Sequence, residues 1–226
     1  MKFYSLGGWC GTTMALRNKN LYGEALPFDY IRSSFYGIIY AIDNNFDNFF
    51  PIKLEPEITK KGKEIWFRGK HFSFCHHDLR NPNIIETFNR RISRFYSFLN
   101  TNNNKVVFMR TIVSYDCNEE LNLVDDFVKL IDEKFKSLNY ILIMIIPLQP
   151  KTSFYKKLNK KTFVFTLQGN NNQDNVKLIN SYSPIYNFIK KNNLFNKTHN
   201  DINLKIRRFN DRFVYDHGVT VFNPNN

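Results

Sequence analysis

The chain is predicted to be α/β: a single domain of three layers, with a mainly parallel sheet and helices on both faces. Three observations predict this. Short apolar runs alternate with amphipathic segments long enough to be helices. The first run, Lys2 to Leu6, passes through Gly7-Gly8 straight into a helical segment. The 226 residues, 42% of them hydrophobic, suffice for one sizeable core. Residues 1–150 read as the core of that domain and 151–226 as a C-terminal extension of it, with no internal repeat.

Each element has its own signal. Lys2 to Leu6 reads as a buried first strand, Gly7 and Gly8 allow a tight turn, and a helix begins at Cys10 and runs through Arg17. Pro27 stops any helix, and Asp29 can cap the next, Tyr30 to Asp43, which carries Phe35, Ile38, Ile39 and Ile42 at helical spacing. Asn44 to Lys63, with Pro51 and Pro56, is polar and reads as a surface excursion. Ile65 to Arg68 and His71 to Phe74 make a hairpin about Gly69-Lys70. Pro82 leads into a helix over Asn83 to Leu99, with Ile84, Phe88, Ile92 and Phe95 on one side. Val106 to Val113 is a buried strand, Asn118 or Glu119 opens a helix through Phe135, and Tyr140 to Ile146 is the most apolar strand, ended by Pro147. Thr162 to Leu167 reads as a further strand, Ser183 to Lys191 as a helix, and Ile202 to Phe222 as one or two extended pieces.

Lys and Arg total 32 against 20 Asp and Glu, giving a net charge of +12, which would attract an anionic partner. The lysines are dispersed and no nucleic-acid module is legible. Three cysteines, Cys10, Cys75 and Cys117, are too few for a disulfide framework or a paired-Cys zinc site, which favours a reducing compartment. No run has the character of a signal peptide, and Tyr140 to Leu148 is about half the length of a membrane helix. The expectation is a soluble cytoplasmic protein with no membrane contact and no cofactor.

The chemistry is expected around Cys10. A thiol at a helix start, beyond the carboxyl end of a strand, meets free N–H groups and a positive dipole end, which would lower its pKa and make it a nucleophile. A cysteine hydrolase also needs an imidazole and a group to orient it. His77 or His76 would be the base and Asp29 or Asp78 the orienting group, with the Cys10 and Gly11 amides forming an oxyanion hole. Gly7, Gly8, Gly11, Trp9, Arg17 and Arg110 are the candidates for binding substrate. If adjacent strands carry the Cys10 turn and the His76-His77-Asp78 loop, both reach one rim of the sheet. Structural alternatives stand beside these roles: Cys10 as a small buried thiol, Gly7 and Gly8 as turn formers, Trp9 as a packed aromatic, Asp29 as a helix cap, and Arg110 as the partner of Asp116.

Two other functional classes fit parts of the sequence. His71, Cys75, His77 and Asp78 offer metal ligands, but their spacing matches no recognised zinc pattern, so no metal is assigned. A glycan- or nucleotide-sugar-related transferase or binding protein could hold phosphate on the Gly7-Gly8 loop and helix start, with Arg17 and Arg110 supplying charge, although a full GxGxxG is lacking. A binding module without catalysis would use the basic surface alone.

The runs Ser5-Leu6-Gly7-x-x-Cys10, Leu16-Arg17 and Pro27-Phe28-Asp29-Tyr30, followed by His77-Asp78 and Phe108-Met109-Arg110, resemble a family described as papain-like cysteine peptidases. That family is of unknown function, occurs in bacteria and large DNA viruses, and carries the peptidase label as a prediction. The resemblance spans about the first two thirds of the chain. It implies a cysteine-dependent hydrolase acting on a peptide, amide or glycan, with Cys10 as nucleophile and His77, in the His-Asp pair, preferred over His76. Tyr30 stands where the family commonly has Trp. Papain-type enzymes place the cysteine on a long helix against an antiparallel barrel that supplies the histidine, whereas the elements read here alternate.

Overall fold

The computed structural model describes residues 1–51, 57–58, 65–101, 105–170, 174–192 and 194. Its main sheet has five strands. β1 (Lys2–Ser5), β6 (Val106–Thr111), β7 (Tyr140–Gln149) and β9 (Thr162–Gln168) run parallel in that spatial order, and β8 (Ser153–Lys157) closes the edge antiparallel to β9. β6 and β7 are buried along their whole length, as continuous Val/Ile/Phe runs between two helical layers must be.

Successive residues on a strand point to opposite faces. Phe3 meets Tyr186 of α7 (Ser183–Asn192) with ring centroids 6.0 Å apart, while Tyr4 meets Phe98 of α3 (Pro82–Thr101) at 4.3 Å. Helices therefore cover both faces, as expected. Phe108, opposite Tyr4 in the register, packs against Phe127 of α5 (Val124–Lys134) on the α3 side.

A second, antiparallel sheet lies in the long segment between β1 and β6: β2 (Arg32–Ser33), β5 (Phe72–Phe74), β4 (Ile65–Arg68) and β3 (Glu57–Ile58), in that order. The predicted hairpin is its β4–β5 pair. Its inner side and α3 enclose a cluster of phenylalanines, in which Phe28 contacts Phe72 and Phe95, and Phe74 contacts Phe88. Much of the phenylalanine content is accounted for here.

Several boundaries differ from expectation, each for a local reason. The helix expected from Tyr30 begins instead as α2 (Phe35–Asp43), because Ser34 is the cap, its hydroxyl accepting from the Gly37 N–H at 3.0 Å. Asp29 caps nothing; its carboxylate turns inward. Tyr30 takes a left-handed φ of 60° and the chain then forms β2. The helix expected through Phe135 is broken into α4 (Cys117–Leu121), capped by Asp116, and α5. β7 does not stop at Pro147; it continues to Gln149 across a register shift that takes up Pro147 and a left-handed Leu148. β8 and α6 (Asn175–Asn180) were not foreseen. The extended pieces expected over Ile202 to Phe222, and most of residues 52–64, lie outside the described residues. Among the described residues no helix is long and apolar enough to cross a membrane.

Candidate active site at the start of the first helix

α1 (Cys10–Asn18) starts with Cys10, directly beyond the carboxyl end of β1, as the Gly7-Gly8 signal suggests. Both glycines are required by geometry. Gly7 has φ 68° and Gly8 φ 87°, and a Cβ on Gly8 would lie 2.1 Å from the Thr111 carbonyl oxygen. Their amides are engaged inside the protein, Gly7 N–H with the Ser5 hydroxyl (3.1 Å) and Gly8 N–H with the Ser33 hydroxyl (3.3 Å). Neither amide is left to cradle a phosphate.

Arg110, expected at a ligand, lies fully buried behind that turn. Nε and Nη2 donate to the two carboxylate oxygens of Glu120 at 2.8 and 2.9 Å. Nη1 donates to the Leu6 carbonyl (3.2 Å) and the Ser33 hydroxyl (3.0 Å), and Nη2 also to the Ser33 carbonyl (2.8 Å). All five guanidinium donors are thus used within the protein. The residue ties β1, β2 and α4 together beneath Cys10, and its partner is Glu120, not Asp116. Glu120, on α4, faces inward, where it also accepts from the Val113 and Ser114 amides.

Trp9 is buried, and its ring covers Gly11 so closely that a Cβ there would come within 2.0 Å of it. Gly11 is therefore a packing requirement as well as a candidate amide donor. Arg17 is exposed, with its guanidinium carbon 4.5 Å from the Tyr22 ring centroid and 5.1 Å from that of Tyr30. Of the predicted binding residues, Arg17 alone presents a charged group to solvent.

Cys10 itself is partly exposed, so it is neither the sealed thiol of the structural alternative nor fully open. Burial pushes its pKa above the ordinary thiol value; Arg32 and the amides of Cys10 and Gly11 oppose this but do not overcome it. The expected lowering does not occur: the helix start acts in that direction, and desolvation outweighs it. Arg32, buried on β2, was missed because nothing in its sequence context marks a cation that folds back toward residue 10. Tyr30 and Tyr182 also lie within electrostatic reach of the sulfur.

The histidines come from the antiparallel sheet. β1 pairs with β6 and β5 with β2, so the conditional idea of adjacent strands in one sheet is not met; the two sheets join instead through Ser33, which touches both Gly8 and Arg110. Beyond β5, His76 is exposed and His77 partly buried. The His77 ring packs edge-on against Phe88 at 4.9 Å, and burial first, then Arg91 and His76, lowers its pKa to about 4. It is neutral at pH 7 and, as it rests, a weak base, and among the described residues no hydrogen bond joins it to Cys10. Arg91 reaches electrostatically to Asp29, Tyr30 and His77 alike.

Neither proposed orienting carboxylate meets His77. Its Nδ1 is buried without a hydrogen-bond partner among the described residues. Asp78 is exposed and held by Arg80 through contacts of 2.8 and 2.7 Å, which lower its pKa. Asp29 is buried and accepts from Thr13 Oγ1 (2.9 Å), Tyr22 Oη (2.8 Å) and the Leu26 amide (2.8 Å). Burial raises the Asp29 pKa against those three bonds. Its place is a brace between α1 and the loop before β2. Among the described residues no group of three or more His, Cys, Asp or Glu is placed to hold a metal ion. A pocket of about 350 Å³ opens elsewhere, between the start of β1 and the residues after α1, lined by Tyr4, Tyr22, Glu24, Arg94 and Phe98.

The chain is 27% identical to an uncharacterized protein of Acanthamoeba polyphaga mimivirus, in an alignment covering 75% of this chain and 89% of the relative. No solved structure matches. The model of a family described as "Putative papain-like cysteine peptidase" matches residues 1–149, the stretch that contains β1, the Cys10 turn, the antiparallel sheet and Arg110. The chain belongs to that family.

Proposed function

We propose that the protein is a cysteine-dependent hydrolase in which Cys10 is the nucleophile and His77 the general base. The observation that carries the reading is the setting of Cys10: a partly exposed thiol heading a helix at the sheet rim, with a buried arginine and two helix-start amides acting on its sulfur. Membership of the family supports the same chemistry.

In the reaction, neutral His77 takes the thiol proton as the Cys10 sulfur bonds to the substrate carbonyl carbon, and the displaced electron pair goes to the carbonyl oxygen. The Cys10 and Gly11 amides would stabilise that oxyanion. Collapse breaks the bond to the leaving group, which receives the proton from His77, and water cleaves the thioester to regenerate the thiol. Arg32 favours the thiolate electrostatically. Arg17 and the net charge of +12 favour acidic substrates. Asp29 and Arg110 act as braces for the site.

The test is hydrolysis of a peptide-amide library by the full chain and by Cys10→Ala, Cys75→Ala and Cys117→Ala. Loss confined to Cys10→Ala is expected. Equal activity of Cys10→Ala would refute the assignment.

A further inference from the structure

Tyr182 lies in the turn between α6 and α7, beyond the residues that the family model matches, and it is fully buried against the Cys10 end of α1. Two hydrogen bonds to its hydroxyl, and a third that extends one of them, lead to that end. Trp9 Nε1 donates to its hydroxyl at 3.1 Å, its hydroxyl and that of Thr111 are 2.6 Å apart, and Thr111 is in turn 2.8 Å from the Thr12 hydroxyl. Trp9 and Thr12 flank Cys10 and Gly11, whose amides act on the sulfur. Thr111 ends β6, and its carbonyl is the atom Gly8 approaches so closely. The Tyr182 hydroxyl therefore holds Trp9 directly and Thr12 through Thr111, and so ties both sides of the residue pair that bears on the thiol to the sheet.

The neighbouring Tyr186 is a natural contrast. It stacks on Tyr182 with centroids 6.4 Å apart and is equally buried, yet its own hydroxyl has no partner among the described residues. A tyrosine kept only for packing would look like Tyr186. Tyr182, by contrast, has its hydroxyl engaged by both Trp9 and Thr111.

We propose that Tyr182 is a positioning residue for Cys10, so that the C-terminal extension completes a site whose other parts lie within residues 1–149. This rests on the reading of Cys10 as the reactive thiol, but concerns how that thiol is held. Loosening Trp9 and Thr12 would let the Cys10 and Gly11 amides turn from the sulfur, and the thiolate would lose their stabilisation.

The experiment is iodoacetamide alkylation of Cys10 across pH, in the full chain carrying Cys75→Ser and Cys117→Ser so that one thiol remains, for the parent, Tyr182→Phe and Tyr186→Phe. Tyr182→Phe should alkylate at least about threefold more slowly at pH 8, with its profile displaced to higher pH, and Tyr186→Phe should match the parent. In a Trp66→Phe background the remaining indole N–H resonance, from Trp9, should shift in Tyr182→Phe only. Should Tyr182→Phe not fold, Thr111→Val, which removes the other end of the same bond, must show the displaced profile. Profiles that coincide for Tyr182→Phe, Tyr186→Phe and parent overturn the proposal. Alkylation needs no turnover, so absence of hydrolysis in the parent would count against the hydrolase reading alone.

Discussion

The Arg110 guanidinium and the Glu120 carboxylate meet in the interior of the protein, Nε to Oε2 at 2.8 Å and Nη2 to Oε1 at 2.9 Å, directly behind the turn that presents Cys10. Removing one member leaves the other as an unpaired buried charge. Arg110→Ala should cost about 3–5 kcal/mol, read as a lowered urea midpoint. Arg110→Lys keeps the charge but has three donors for five acceptor contacts, and should still lose about 2 kcal/mol or more. A midpoint unchanged in Arg110→Ala would show that the residue is not the brace described.

Gly8→Ala forces a Cβ to 2.1 Å from the Thr111 carbonyl at a φ of 87°. Backbone must move, and the expected cost is about 2 kcal/mol or more, with slower Cys10 alkylation because the helix start shifts. Gly23→Ala, where a Cβ meets nothing within 4 Å, is the neutral control in the same denaturation series.

The β1–turn–α1 unit was legible because glycine pairs mark turns and an apolar run marks the strand before them, and both signals are local. α3, β6 and β9 were legible for similar reasons. What escaped depends on partners far along the chain. Val106 to Val113 reads as a buried strand, but nothing near Arg110 says which carboxylate pairs with it until Glu120 is seen to turn inward. Asp29 looked like a helix cap because Ser34, five residues on, competes for the same role and wins. Tyr182 is 173 residues from Trp9 in sequence, so no pattern within a window could join them. The Cys10 pKa illustrates a balance of magnitudes: the dipole and amides point one way, and burial, which the sequence offers only as the structural alternative, outweighs them.

His77 is held neutral, with a pKa of about 4 against the ordinary 6.5. Between those values the unfolded chain binds a proton that the folded chain does not, so the stability penalty is absent above about pH 6.5, grows as pH falls, and is complete below about pH 4. Allowing for partial exposure, it amounts to about 2 kcal/mol. In His77→Phe that part of the acid slope should vanish, measured as urea midpoints at pH 7 and 4.5. An identical slope in both proteins would contradict the burial described.

Burial raises the Cys10 pKa despite Arg32. Alkylation of the resting protein should therefore titrate above the ordinary thiol value of about 8.5. Arg32→Gln should displace the midpoint further upward and slow the reaction at pH 8 by about threefold or more. A midpoint below that of a free thiol, or one indifferent to Arg32, would be the opposite result.

Asp29→Asn removes a carboxylate that accepts from Thr13, Tyr22 and Leu26. An amide has one acceptor oxygen and brings two donors, so a loss of about 1–3 kcal/mol is expected. The alkylation profile of Cys10 should keep its midpoint, which separates a brace from an orienting carboxylate.

The central claim is that chemistry occurs at the sulfur of Cys10. Its most direct test is treatment of the protein with a peptidyl epoxide that reacts with activated thiols, followed by peptide mapping in the mass spectrometer. One adduct, on Cys10 and abolished by His77→Ala, is the predicted outcome; an adduct confined to Cys75 or Cys117, or labelling of Cys10 that persists undiminished without His77, would contradict it.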